Sequence, residues 1–131
     1  MNMASDYTTG LQHIGLPTND LEKTVAFYEG LGFTVALRTK NEAANEPVAF
    51  LQLKNIVIET YENKAAAGAP GAIDHIALDV TDVDAVFELL RAQGCTLLDS
   101  GVQFLLFWER GVRFFTILGP NGEKVEFSQM L

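Results

Sequence analysis

The chain is written twice. Gly10-Leu-Gln-His13-Ile-Gly-Leu16 returns 62 positions later as Ala72-Ile-Asp-His75-Ile-Ala-Leu78, and at the same offset Asp20 matches Asp82, Leu21 matches Val83 and Gly32 matches Gly94. A repeated pattern of apolar and polar residues buries a repeated face, so the expectation is two copies of one supersecondary unit. The only two histidines, His13 and His75, are equivalent residues of the two copies. Each copy also closes with a strand-like run carrying one glutamate, Val57-Ile-Glu59 in the first and Lys124-Val-Glu126-Phe127 in the second.

Alternation over residues 11–16 predicts a strand with Leu11, His13 and Gly15 on one face; in the second copy Ile73, His75 and Ala77 share the equivalent face. On the opposite face Ile76, Leu78 and Val80 form an apolar stripe suited to a covering helix. Helix start signals follow at Thr18-Asn19-Asp20 and at Thr81-Asp82, where side-chain oxygens can satisfy first-turn amides. The first helix is expected over 21–29, with Leu21, Val25 and Tyr28 inward and Gly30 and Gly32 ending it. The second is expected over 83–93, with Val83, Val86, Leu89 and Leu90 inward and Gly94 as its stop. Strands are then expected over 33–38, 48–53 and 55–61, and in the second copy over 96–98, near 103–107, over 112–118 and over 123–129. The fold class is therefore α+β, with one βαβββ module over 10–61, a linker over 62–72 rich in Ala and Gly, and a second module over 73–129. Together they make one domain spanning 1–131.

With 131 residues and 48% hydrophobic content the chain can bury a sizeable core. A net charge of −8 repels phosphate backbones and anionic lipid, which argues against nucleic acid or a membrane surface as partner. Cys95 is the single cysteine and forms no intramolecular disulfide; after Gly94, heading an apolar run, it reads as a buried structural thiol. No apolar run nears the roughly 18 residues a membrane span needs, and the first residues lack a secretory pattern, so a cytoplasmic protein is expected.

On a strand, residues two apart share a face, so Val57, Glu59 and Tyr61 point one way together, as do Lys124, Glu126 and Ser128. A lone histidine on an apolar strand is usually a packed, hydrogen-bonded residue, and a lone strand glutamate is usually solvated. Duplication argues otherwise, because the same residue types recur at corresponding places in both halves. His13, Glu59, His75 and Glu126 are accordingly the candidate metal ligands. Their mixed nitrogen and oxygen set suits Zn²⁺, Ni²⁺, Co²⁺, Mn²⁺ or Fe²⁺, and four protein ligands in an octahedron leave two positions for water or substrate oxygens. Gly15 and Ala77 keep the approach to the ion uncrowded.

At these residues the chain resembles the vicinal oxygen chelate superfamily, which groups glyoxalase I, methylmalonyl-CoA epimerase, extradiol dioxygenases and the bleomycin and fosfomycin resistance proteins. The likeness rests on Leu11-Gln-His13-Ile-Gly, Asp20-Leu21-Glu-Lys-Thr-Val-Ala-Phe27-Tyr28, Leu31-Gly32-Phe33, Asp74-His75-Ile-Ala-Leu78 and Gly119-Pro-Asn-Gly122-Glu-Lys-Val-Glu126-Phe127. It implies paired βαβββ modules whose curved mixed sheet surrounds a cleft with the metal on the inner strand faces. Within the superfamily the chain is most similar to glyoxalase I, with His on the first strand and Glu on the last of each module. An epimerase of the methylmalonyl type would carry Gln where Glu59 stands.

The resemblance implies a metal-dependent lyase or isomerase that moves a proton between adjacent carbons of a thiohemiacetal or related α-oxo adduct, through a metal-bound enediolate. Glu126 is the implied base, Glu59 a ligand or an assistant from the opposite face, and Zn, Ni or Co the implied ion. It also implies a small-molecule substrate and a homodimer, in which the four ligands meet either within one chain or as His13 and Glu59 of one subunit with His75 and Glu126 of the other. Glutathione-dependent relatives grip the tripeptide with basic or amide residues, whereas Pro17 stands four positions beyond His13; Arg38, Arg110 and Arg113 are the remaining basic candidates. The aromatic run over 104–115 reads either as a pocket wall or as sheet core and dimer contact. Two alternatives stay open: a non-catalytic protein of the bleomycin-resistance type that sequesters an aromatic or cationic drug, and an Fe²⁺ dioxygenase.

Overall fold

The computed structural model describes residues 3–131, and they divide into two compact units whose boundary falls between Ala66 and Ala67. The first unit opens with a short turn at Ala4–Asp6. It then runs through β1 (Ile14–Thr18), α1 (Leu21–Gly30), β2 (Thr34–Asn41), β3 (Glu46–Leu53) and β4 (Ile56–Glu62). Its sheet has the order β1-β4-β3-β2, with β1 parallel to β4 and the other pairs antiparallel. The second unit runs through β5 (His75–Asp79), α2 (Val83–Ala92), β6 (Thr96–Leu97), β7 (Gln103–Leu105), β8 (Val112–Leu118) and β9 (Lys124–Met130). Here β5 is parallel to β9, β9 pairs antiparallel with β8, and β6 and β7 both pair with β8. Together β6 and β7 do along β8 what the continuous β2 does along β3, so each unit is a βαβββ module and the second carries an interrupted strand.

The same local chemistry builds both helices. Asp20 accepts a hydrogen bond from the Lys23 amide and Asp82 from the Ala85 amide, each at 3.1 Å, capping the first turn. A second orphan amide in each helix is met from the last strand of its own sheet: Glu62 Oε1 accepts from Leu21 N and Gln129 Oε1 from Val83 N, both at 2.8 Å. The helices end alike, with Gly32 at φ +104° and Gly94 at φ +78°, left-handed conformations that a side chain disfavours.

Each helix covers one face of its sheet. In the first unit Leu21, Val25 and Tyr28 pack with Phe33, Ala49, Leu51 and Ile58, all buried. In the second, Val83, Phe87 and Leu90 meet Phe115, Ile117, Val125 and Phe127; the Phe115 ring stands edge-on to Phe87 at 5.1 Å and stacks on Phe127 at 5.2 Å.

Several expectations are corrected. The first strands begin not at residues 11 and 73 but at Ile14 and His75, where parallel pairing starts with Ile58 of β4 and Lys124 of β9. Leu11 and Ile73 consequently stand 76% and 80% exposed. On α2 the inward residue is Phe87, while Leu89 is 57% exposed: helical spacing aligns 83, 87 and 90, and the larger ring takes the inner place. Thr39 to Asn41 extend β2 beyond residue 38, and Glu46 and Pro47, which pair with Asn41 and Lys40, extend β3 ahead of residue 48. The aromatic run divides: Phe115 is core, whereas Phe104, Phe107 and Trp108 are 56%, 56% and 75% exposed. Cys95 is half-buried, and burial raises its thiol pKa.

Candidate metal centre

The sheet face away from the helix carries the candidate ligands in both units. On β4, Ile58 and Thr60 are buried toward α1, so Val57, Glu59 and Tyr61 occupy the other face, half-exposed. On β9, Val125 and Phe127 are buried toward α2, leaving Lys124, Glu126 and Ser128 on the equivalent face. Register makes the equivalence exact in kind: Gly15 lies opposite Glu59, and Ala77, its counterpart 62 positions on, lies opposite Glu126.

His13 immediately precedes β1 and His75 opens β5. His13 Nε2 stands 3.5 Å from Glu59 Oε1, and His75 Nε2 stands 3.8 Å from Glu126 Oε1. The other ring nitrogen is held from the preceding residue in both: His13 Nδ1 is 3.0 Å from Gln12 Oε1, and His75 Nδ1 is 3.0 Å from Asp74 Oδ2. Those oxygens only accept, so Nδ1–H donates, and in the neutral ring the Nε2 lone pair faces the glutamate. A lone pair and a carboxylate are both acceptors and form no hydrogen bond with each other, so an electron-pair acceptor between them would satisfy both. Two donors each about 2.1 Å from a shared cation sit roughly 3.0–3.4 Å apart, so each pair needs only a small closing motion to hold one ion. The donor set therefore fits a divalent metal.

The structure brings His13 to Glu59 and His75 to Glu126. Each unit supplies a pair, and among the described residues no group of three or more His, Cys, Asp or Glu side chains gathers around one point. The Phe50 ring stands edge-on to His13 at 6.0 Å, walling that pair.

Sequence reasoning missed the braces behind the histidines. Asp74 accepts from Lys124 Nζ at 3.1 Å as well as from His75, and these hydrogen bonds, that of His75 first, hold its carboxyl below the ordinary carboxylate value. The signal was present in the repeat, since Gln12 and Asp74 are also equivalent positions. Two of the basic candidates are corrected: Arg38 and Arg113 lie on the helix-facing side of their sheets. Arg38 makes a two-pronged pair with Glu22 at 2.9 and 3.0 Å, and Arg113 one with Asp84 at 2.6 and 2.8 Å. Glu22 and Asp84 again correspond at the 62-residue offset, so the arginines tie helix to sheet in both modules. Arg110 lies in an exposed turn.

Two βαβββ modules, each presenting a braced His–Glu pair, define the class. Residues 10–127 match the Glyoxalase/Bleomycin resistance protein/Dioxygenase superfamily, and the chain belongs to it. It is 28% identical over 126 residues to the uncharacterized protein YwbC of Bacillus subtilis (strain 168), covering 91% of this chain and 96% of that one. Among solved structures, a glyoxalase family protein from Enterococcus faecalis matches with a TM-score of 0.79 at 20% identity, covering 93% of this chain and 98% of that chain. The fosfomycin resistance protein FosX from Listeria monocytogenes, solved with Mn(II) and sulfate, matches with a TM-score of 0.73 at 19% identity, covering 95% and 94%. At these identities the structural likeness speaks for the fold. Among the described residues no helix is long and apolar enough to cross a membrane.

Proposed function

We propose that the chain is a metal-dependent lyase or isomerase of the glyoxalase I type, acting on a thiohemiacetal or related α-oxo adduct. The two modules, 10–61 and 73–129, work as one functional domain in a homodimer. His13 and Glu59 of one subunit and His75 and Glu126 of the other hold one divalent ion, Zn, Ni or Co. The observation that carries this reading is the duplicated pair: two histidines braced at Nδ1, each with Nε2 turned to a strand glutamate at 3.5 and 3.8 Å. That FosX, a structural neighbour, was solved with Mn(II) supports a divalent ion in this fold.

When bound, the ion supplies Lewis-acid stabilisation of the negative charge that develops on substrate oxygens. Glu126 takes the proton from the carbon beside the carbonyl and returns it to the neighbouring carbon, and Glu59 serves as ligand or assists from the opposite face. Glu126 suits the base role by its lower exposure, 20% against 31% for Glu59, which limits competition from water. Gly15 and Ala77, opposite the two glutamates, leave space for the substrate; even a Cβ added at Gly15 would meet only Tyr61, at 3.8 Å.

Elemental analysis of the purified protein and of Glu126→Gln, with turnover of methylglyoxal and several thiols, tests the proposal. Bound Ni, Co or Zn with turnover supports the lyase, and iron points to a dioxygenase. A metal-loaded protein inactive with every thiol would sink the lyase and spare the metal centre. Metal-free protein favours the second reading, a small-molecule binder, for which the acidic, aromatic-walled pocket beside Glu59 is the supporting observation.

A further inference from the structure

An open pocket of about 300 Å³ lies on the helix-free face of the first sheet, and its lining includes Thr39, Asn41, Glu46, Phe50, Glu59 and Tyr61. Strand register orders these groups. Phe50 pairs with Glu59 and Val48 with Tyr61, and Glu46 shares their face two residues further along β3. Four residues of extended chain separate Glu46 from Phe50, roughly 13 Å. The pocket thus runs from the candidate ligand Glu59, past two aromatic rings, to a second carboxylate.

Among the described residues Glu46 carries no ion pair or side-chain hydrogen bond, although it is half-buried. Lys40 also borders the pocket, but it stands opposite Pro47, on the helix-facing side of the sheet, and its ammonium reaches Glu42 at 3.9 Å. Arg38 is committed to Glu22 on that same side. A half-buried carboxylate beside aromatic faces attracts a cation and disfavours an anion.

We propose that this pocket takes the ammonium-bearing end of a small cationic ligand, with Glu46 as its counter-charge and Phe50 and Tyr61 as its walls. The proposal deepens the reading above by naming the ligand class, and it sets anionic thiols such as glutathione apart from the preferred ones. Its test does not pass through turnover. Titration calorimetry compares 2-phenylethylammonium with 3-phenylpropionate, probes of similar size and opposite charge. The proteins are the wild type, Glu46→Gln, and Glu29→Gln as a control with the same charge change on the outer helix. The ammonium should bind wild type about tenfold or more tightly than the carboxylate, and Glu46→Gln should lose about fivefold or more of that affinity while Glu29→Gln loses none. Equal affinities, a carboxylate preference, no binding of either probe, or the same loss in both variants would overturn it. A metal-free protein that still prefers the ammonium through Glu46 would keep this proposal and sink the lyase.

Discussion

Asp74 Oδ2 lies 3.0 Å from His75 Nδ1 and fixes the ring with Nε2 toward Glu126. A carboxylate behind a ligating imidazole raises its basicity and fixes its tautomer. Asp74→Ala should therefore lower metal affinity about 10- to 100-fold with the fold retained, read by competitive chelator titration beside circular dichroism. Gln12→Ala should cost less, because the amide oxygen behind His13 is uncharged. Equal losses at the two positions would contradict this account of the brace.

Glu126→Gln should reduce kcat by about 10²- to 10⁴-fold, the usual contribution of a positioned base, while substrate binding changes far less. Steady-state kinetics on the metal-loaded variant check this. A matching loss in Glu59→Gln alone would exchange the roles of the two glutamates.

Pairing across two chains has its own signature. In the proposed homodimer, a mixture of His13→Ala and His75→Ala subunits should form heterodimers with one intact site and one doubly damaged site. Random mixing should restore about a quarter of wild-type activity, whereas sites formed within single chains would restore none.

The hydrogen bond from Arg113, and secondarily its charge, hold the Asp84 carboxyl below its ordinary value of 3.8. A lowered folded pKa gives stability that is present above the unfolded value and is lost as pH falls through the folded one. The stability gap between wild type and Asp84→Asn should be constant from about pH 6 to 8 and close below about pH 3.8. The pair is exposed, so the gap is small, and thermal melts across pH follow it.

Two core positions should respond in opposite directions. Phe115→Ala removes a fully buried ring held between Phe87 and Phe127 and should cost about 3–5 kcal/mol in denaturant unfolding. Thr60 Oγ1 is buried with no hydrogen-bond partner among the described residues, so Thr60→Val should stabilise by about 1 kcal/mol.

The modules were legible in the sequence because their determinants are local. Asp20 and Asp82 cap from their own positions, Gly32 and Gly94 end helices through their own backbone freedom, and alternation on β4 and β9 assigns Glu59 and Glu126 to one face. What failed was local reasoning about non-local facts. Leu89 satisfies helical spacing as well as Leu90 does, yet the sheet beneath α2 accepts Phe87 and Leu90 and leaves Leu89 in water. Arg38 and Arg113 read as basic groups available to a substrate until their strands turned them toward Glu22 and Asp84.

By itself, the sequence determined the duplication, the order of elements, and the identity of the two histidines and two glutamates. Each follows from periodicity and residue chemistry within a few positions along the chain. Only the tertiary structure decided that His13 faces Glu59 and His75 faces Glu126, that Gln12 and Asp74 stand behind the rings, and that Glu46 shares a pocket with Phe50 and Tyr61. The two His–Glu pairings span tens of residues and depend on strand register, whereas the braces come from neighbouring residues once each ring is so placed. A shift of one residue in the register of β4 or β9 would turn its glutamate to the opposite face, away from its histidine.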